Sequence, residues 1–197
     1  DNEANYRCNS TYFPGTCIPM LPEELSNNLC SLKEGVVRLS VTVEMHFDMS
    51  GNLKKYDIYR SAIKSHHRFT YEEAYEIIQK KKKSNFSGLL CDLVDLGKLL
   101  KEKRMERGSV DFSLPDTVVE IDKAGVPTNI KKIEYDISHQ IIEEFMLKAN
   151  EVVATHLGKT ERGLIYRIHE SPSNQSLDNF FTLAKSLGFK IKKTNSK

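Results

Sequence analysis

The chain has 197 residues, of which 39% are hydrophobic and 28% are charged, and its formal net charge at pH 7 is +2. This composition allows one domain with a proper core, and the small charge excludes a uniformly basic nucleic-acid-binding surface, so any such site must be local. We find neither a secretory leader nor an apolar run of membrane length. The four cysteines lack metal-site spacing, so we predict reduced thiols and a cytoplasmic location.

The stretch from Ser10 to Leu32 is rich in proline, aromatic and apolar residues but follows neither a helical nor a strand period. Each of its three prolines removes a backbone donor and biases the residue before it toward extended geometry. We therefore predict an ordered, non-helical track. Tyr12 stands near its start, beside a turn at Pro14–Gly15.

A β-hairpin is predicted next. Residues from Val36 to Met49 alternate between apolar and polar, which is typical of a half-buried strand. Ser50–Asn52 would turn the chain, and Leu53 to Ile63 would return as an antiparallel partner. The face predicted to be buried on the first strand consists of Leu39, Val41, Val43, Met45 and Phe47.

Two helices follow the hairpin. Thr70 begins an S/T-x-x-E capping box, which predicts a helix through Ile78. A second helix is predicted over Leu89 to Arg107, and Gly108 suits the left-handed position after its end. Its predicted core stripe consists of Leu89, Leu93, Leu96 and Leu100.

Strands are predicted again over Asp116 to Asp122 and Val126 to Ile133, around a turn that contains Gly125. The longest helix should run from about Asp136 to His156, with Gly158 as its terminator. Its predicted apolar stripe consists of Ile141, Phe145, Ala149 and Val152.

The remaining pattern predicts a short strand over Leu164 to Ile168 and an amphipathic helix over Ser176 to Leu187, ended by Gly188. Helices and hairpins in this mixture favour the α+β class. We expect a mixed, mainly antiparallel sheet flanked by helices.

Five segments carry a resemblance to a known family. They are EANYRCNSTYFPGTCIPMLPEELSNNLCSL (3–32), SHHRFTY (65–71), ERGSVDF (106–112), HQIIEEFMLKAN (139–150) and YRIHESPS (166–173). In this order they resemble the RNB catalytic domain of the ribonuclease R and ribonuclease II exoribonucleases, and the RGSVDF and YRIHESP motifs favour the ribonuclease R type. The departures are small: Cys8–Asn9 stands where Gly-Thr is usual, and Thr11 stands where Val is usual.

The resemblance implies that residues 1–197 are part of an RNB catalytic domain. In this family a cluster of metal-binding aspartates precedes the point matched by Asp1, and a catalytic arginine and an S1-type RNA-binding domain follow downstream. The full-length parent is then expected to be a processive 3′-to-5′ exoribonuclease that uses Mg²⁺ or Mn²⁺ to hydrolyse single-stranded RNA to nucleoside 5′-monophosphates. Its partners would be single-stranded RNA and the flanking RNA-binding domains, with no membrane, and this chain itself would bind no metal.

The same resemblance implies roles for individual residues. Tyr12 and Phe112 match the aromatic residues that clamp the terminal bases, and Tyr71 matches the one at the entrance that decides where short products stall. Glu143 matches the glutamate that orients the terminal nucleotide. Without the resemblance, we would interpret each of these aromatic residues as part of the core. We would likewise interpret Glu143 as a carboxylate on the surface of a helix.

Arg167 and His169 are further candidate RNA contacts, although a histidine at a strand end is more often a structural hydrogen-bonding residue. The acidic pairs 23–24, 72–73 and 143–144 cannot aim both side chains at one metal, so we predict solvated or helix N-terminal acids. The adjacent histidines His66 and His67 are poor metal ligands for the same reason. Lys80–Lys83 is predicted to be a solvated face or a salt-sensitive phosphate contact.

An alternative remains open: a non-catalytic RNA-binding or scaffold module that retains the same fold. Closely spaced aspartates just before Asp1 in the parent chain would favour the enzyme, and a degenerate segment there would favour the binding module.

Overall fold

The computed structural model describes residues 2–111, 116–133, 135–160 and 163–191. The predicted α+β class is confirmed. Within the described ranges the antiparallel strands form three separate two-stranded hairpins, β1–β2, β3–β4 and β5–β6, instead of one continuous sheet.

The helices are α1 (Asn2–Arg7), a π-helix (Glu24–Leu29), α2 (Tyr71–Ile78), α3 (Ser87–Glu106), α4 (Ile137–Lys159) and α5 (Asn174–Ser186). The strands are β1 (Thr11–Phe13), β2 (Thr16–Ile18), β3 (Val37–Phe47), β4 (Leu53–Lys64), β5 (Asp116–Ile121) and β6 (Pro127–Ile133). None of the described helices combines the length and the apolar character that a membrane span requires.

The N-terminal track is only partly non-helical. Its first half forms the β1–β2 hairpin, whose turn residue Gly15 has φ +73° and lies so close to Ile121 that a Cβ would collide with it. Its second half forms the π-helix, so the prediction was wrong there. The reason is that the carbonyl of Pro22 accepts from the amides of Leu25 and Ser26, at 3.0 and 2.9 Å. All three prolines precede this helix, so none of them interrupts its hydrogen bonds, and Pro22 lies directly before its cap, Glu23.

The β3–β4 hairpin is confirmed, but part of its predicted buried face is reversed. Leu39 and Val41 are 87% and 68% exposed. On the opposite, half-buried face the hydroxyls of Ser40 and Thr42 lie 2.8 and 2.6 Å from that of Ser61. These hydrogen bonds satisfy the hydroxyl groups, which allows the polar face to be the covered one. An alternating pattern therefore predicts a strand but does not show which of its two faces is covered.

The core lies mainly where α3 packs against α4. The predicted stripe of α3 was wrong at Leu89, which is 56% exposed, whereas Leu100 is buried as expected. The buried positions of α3 are Leu90, Val94, Gly97 and Leu100, so the covered face is rotated from the predicted stripe toward α4, where Gly97 lies beside Ile141. On α4, Ile141 and Val152 are buried as predicted, and Phe145 and Ala149 are half-buried. The buried apolar residues are Ile77, Leu90, Val94, Leu100, Ile141, Val152 and Ala184.

Most predicted helix ends are confirmed. Thr70 caps α2, since its hydroxyl accepts from the Glu73 amide at 3.2 Å. Gly108 and Gly188 follow α3 and α5 with φ values of +93° and +87°. Gly158 does not end α4, which continues to Lys159; a Cβ at this glycine would lie 3.0 Å from the Tyr166 hydroxyl.

The strand predicted over Leu164 to Ile168 is not formed. Residues 163–173 have no regular structure, and Ile165 is 98% exposed. A strand needs a neighbour to satisfy its amides and carbonyls, and no described strand pairs with this stretch. The chain re-enters helical structure at Ser173, whose hydroxyl accepts from the Ser176 amide at 3.2 Å.

A buried ion pair joins the carboxy-terminal part of α3 to α4. Arg104 Nε lies 3.1 Å from both carboxylate oxygens of Glu144, and Nη2 lies 2.5 Å from one of them. The guanidinium also donates to the Ser109 hydroxyl at 2.9 Å. The Glu144 side chain is only 4% exposed and that of Arg104 is 17% exposed. The prediction of a solvated acid was therefore wrong for Glu144.

We expect Glu144→Ala to lower the free energy of unfolding by about 3 kcal/mol, because it leaves a buried guanidinium without its partner. The matched control is Glu151→Ala on the same helix, since Glu151 is 39% exposed and pairs with Arg107 and Lys148 at the surface. Removing these pairs should cost less than about 1 kcal/mol. Urea unfolding of the two variants measures the difference, and equal losses would contradict the assignment.

Candidate nucleic-acid interface

Tyr71 is the first residue of α2, directly after the Thr70 cap, and 44% of its surface is exposed. One face of its ring stacks on the imidazole of His139, with ring centroids 3.9 Å apart and an angle of 16° between the planes. The stack holds an otherwise exposed tyrosine in one orientation.

His139 lies in the first turn of α4 and is itself held in place. Its Nδ1 is 3.1 Å from Oδ1 of Asp136, the residue that caps this helix. The same carboxylate accepts from the Ser138 amide at 2.8 Å. Burial raises the pKa of Asp136, but the hydrogen bonds from Ser138 and His139 outweigh this effect, so its pKa is lowered overall. The carboxylate therefore stays ionised and keeps its hold on the imidazole.

Tyr135 precedes α4 and connects this histidine to Glu143. Its ring centroid is 5.4 Å from that of His139, and its hydroxyl donates to the Glu143 carboxylate. Partial burial of the hydroxyl end, and secondly the hydrogen bond to Glu143, raise the pKa of Tyr135 above its usual value. Because 52% of the residue's surface is exposed, we attribute this rise mainly to the bonded carboxylate. The hydroxyl consequently remains a donor, and Glu143 keeps a defined orientation.

The structure thus brings two of the predicted site residues, Tyr71 and Glu143, into one connected group through two residues that the sequence analysis missed. We call Tyr71, His139, Tyr135 and Glu143 the aromatic array. The spacing of four between His139 and Glu143 is the signal that could have placed these two residues on one side of α4. Tyr135, four residues before His139, lies just outside the helix. The stack with Tyr71 crosses from one helix to another, and spacing does not reveal it.

The other predicted site residues are not joined to the array by the described contacts. Tyr12 lies on β1 and is 79% exposed. Arg167 and His169 are exposed within the irregular stretch 163–173. Phe112 lies outside the described residues.

The histidine pair and the lysine run have partly structural roles. His67 contacts the carboxylates of Glu34 and Glu73, at 3.2 and 3.5 Å, and stacks on Phe86. Lys82 pairs with Glu73 at 2.9 Å, so this lysine is not simply solvated. Among the described residues, no three His, Cys, Asp or Glu side chains are grouped so that they could hold a metal ion. All four cysteines are exposed free thiols.

Comparison with known proteins identifies the family. The protein-family model described as the RNB domain matches residues 1–197. The chain belongs to the RNB domain family. It is 48% identical over 191 residues to Ribonuclease R of Chlamydia pneumoniae, an alignment that covers 97% of this chain but 28% of that relative. The chain therefore spans less than a third of the length of this RNB relative.

Solved structures agree. RNase R of Mycoplasma genitalium in complex with ribose-methylated single-stranded RNA matches with a TM-score of 0.92 at 32% identity, over 99% of this chain and 31% of that one. The same enzyme with double-stranded RNA gives a TM-score of 0.93 at 32% identity, over 99% and 35%. Yeast Ssd1, a pseudonuclease, shares the fold alone, with a TM-score of 0.72 at 16% identity over 99% and 24%.

The array predicts an unusual titration of Tyr135. Glu143→Gln removes the charge but not the burial, so the pKa of Tyr135 should fall toward about 10 and remain above it. NMR titration of the chain with ring-labelled tyrosine measures this shift, and Tyr135→Phe assigns the signal.

Tyr59 is the internal control for that titration, because its pKa is raised chiefly by its hydrogen bond to Glu44. Its titration should not respond to Glu143→Gln. A Tyr135 signal that is equally unresponsive would mean that the hydroxyl does not donate to Glu143.

Proposed function

We propose that this chain is an internal part of the catalytic domain of a processive, metal-dependent 3′-to-5′ exoribonuclease of the ribonuclease R type. The substrate would be single-stranded RNA and the products nucleoside 5′-monophosphates. The observation that carries this proposal is the RNB match over the whole chain, together with 48% identity to a protein named Ribonuclease R. The similarity to RNase R structures that contain RNA supports it further.

Within this function the chain supplies contacts to the 3′ end of the RNA. Tyr12 and Phe112 stack on the terminal bases, Tyr71 lies at the entrance, and Glu143 positions the terminal nucleotide. The exposure of Tyr12 and Tyr71, at 79% and 44%, supports base stacking because a core-packed ring would be covered. Arg167 and His169, both exposed, are proposed to contact phosphate or ribose.

The proposed reaction also requires Mg²⁺ or Mn²⁺, but the described residues do not fit a metal centre, since they offer no group of three ligands. We propose that the ligands lie in the segment of the full-length protein that precedes Asp1, and we assign binding and positioning to this chain. The flanking RNA-binding domains would supply most of the phosphate contacts, because a chain of net charge +2 can neutralise few phosphates. The cytoplasmic location stays a prediction.

A non-catalytic RNA-binding or scaffold module is the second candidate function. The fold is shared with Ssd1, which is named a pseudonuclease, so the fold alone does not imply catalysis. Release of mononucleotides by the full-length protein, measured on end-labelled single-stranded RNA, decides between the two candidates. Binding without release under these conditions would favour the module.

Substituting the clamping aromatics should weaken RNA binding. In the full-length protein, Tyr12→Ala and Phe112→Ala should each cost roughly 1–3 kcal/mol of binding free energy, because each removes one base stack. Fluorescence anisotropy with a short labelled single strand measures the change.

Phe13→Ala is the matched control for Tyr12→Ala, because Phe13 is 52% exposed and its side chain projects from the opposite face of β1. Its affinity should stay near that of the unsubstituted protein. Unchanged affinity in both the Tyr12 and Phe112 variants would contradict the stacking role.

The isolated 197-residue chain is expected to bind RNA weakly and not to hydrolyse it, even with added Mg²⁺ or Mn²⁺, because two-metal hydrolysis needs a carboxylate cluster. Purified chain is incubated with end-labelled poly(A) and each metal, and the full-length protein serves as the positive control. Metal-dependent mononucleotide release that co-purifies with the chain and disappears in Glu143→Ala would reveal an active site within these residues.

A further inference from the structure

We propose that His139 and Tyr135 are positioning residues for the RNA end. His139 fixes the ring of Tyr71, and Tyr135 fixes the carboxylate of Glu143. Tyr135 directly precedes the Asp136 cap of α4, and His139 lies in the first turn of this helix. Together they therefore also set the relative placement of the entrance aromatic and the nucleotide-positioning carboxylate. This inference rests on the proposed function, which gives Tyr71 and Glu143 their roles.

The first step concerns Tyr71. A tyrosine that is 44% exposed at the first position of a helix would ordinarily lose side-chain entropy when a base stacks on it. Here the imidazole of His139 already covers one ring face, at a centroid distance of 3.9 Å. The ring is thus ordered before RNA arrives, and preorganisation of this kind lowers the cost of binding.

The second step concerns the support beneath His139. Donation from its Nδ1 to Asp136 fixes both the tautomer and the orientation of the ring. Asp136 in turn accepts from the Ser138 hydroxyl at 2.5 Å and from the Ser138 amide. Ser138 is 4% exposed, so the stack on Tyr71 rests on a buried anchor.

The third step concerns Glu143. Its side chain is half-buried, and the Tyr135 hydroxyl donates to one carboxylate oxygen. Within the described residues no donor is seen at the other oxygen of this acceptor-only group, which we assign to a donor on the nucleotide. Tyr135 would therefore decide, through its hydroxyl, which way that oxygen is presented.

The test of His139 uses the full-length protein and the length of the limit product as the readout. His139→Ala should change that length in the same way as Tyr71→Ala, whereas His139→Phe, which keeps a stacking ring, should restore the original length. In a Tyr71→Ala background, His139→Ala should add nothing.

His156→Ala is the control for this series. His156 lies on the same helix and contacts Tyr56, at 5.8 Å between ring centroids and outside the array, so its removal should leave the product length unchanged. If His139→Ala lowers the melting temperature more than this control does, His139→Gln takes its place, because glutamine keeps a donor for Asp136 but has no ring.

The test of Tyr135 is kinetic. Tyr135→Phe should lower kcat about 10-fold, the equivalent of one lost hydrogen bond, with KM changed by less than about 2-fold. The matched control is Tyr59→Phe, which removes a 2.9 Å tyrosine–glutamate hydrogen bond on the β3–β4 hairpin and should leave kcat unchanged. In a Glu143→Ala background, Tyr135→Phe should have no further effect.

The outcomes separate the two proposals. If Tyr71→Ala and Glu143→Ala leave product length and kcat unchanged, the proposed roles of these two residues fail. If both variants act as proposed but His139→Ala and Tyr135→Phe behave like the unsubstituted protein, the positioning inference is overturned and the proposed function stands. A His139→Phe variant that behaves like His139→Ala would also overturn it, because the stacking ring would then not be what positions Tyr71.

Discussion

The buried ion pair between Arg104 and Glu144 is the interaction on which the arrangement of the site depends. The Glu144 carboxylate is almost fully removed from solvent and accepts hydrogen bonds from two nitrogens of the Arg104 guanidinium. Sliding one helix along the other would leave the Glu144 carboxylate buried and unpaired, which is far more costly than losing an exposed pair. Glu143 directly precedes Glu144 on α4 and is therefore held at a fixed place relative to α3.

The same two helices are joined at other points along their contact. Lys101 of α3 lies 3.3 Å from the amide oxygen of Gln140 of α4, and it also pairs with Asp111, which follows α3, at 2.8 Å. Gly97 lies beside Ile141 of α4, and both residues are buried. Polar and apolar contacts thus fix one packing of the helices. The first turn of α4, which carries His139, is then set against α2 and its Tyr71.

Membership in the RNB family does not by itself settle what the chain does. The fold is shared by RNase R and by a protein named a pseudonuclease. Activity therefore depends on particular side chains instead of the framework that carries them. In this chain the described side chains that we propose for RNA contact are the exposed rings of Tyr12 and Tyr71 and the carboxylate of Glu143.

The sequence by itself determined the local elements and the family. The capping box at Thr70, the glycines after α3 and α5, and the alternation along β3 all predicted elements that the structure contains, because these signals act between neighbours in the chain. The family motifs singled out Tyr71 and Glu143.

Only the tertiary structure decided which faces are covered and which side chains meet. Leu39 is exposed and Glu144 is buried, although the pattern and the composition favoured the reverse. The stack of Tyr71 on His139 joins residues far apart in the sequence. Burial and pairing depend on what another element supplies across the contact, and a residue's immediate neighbours in the chain do not specify that partner.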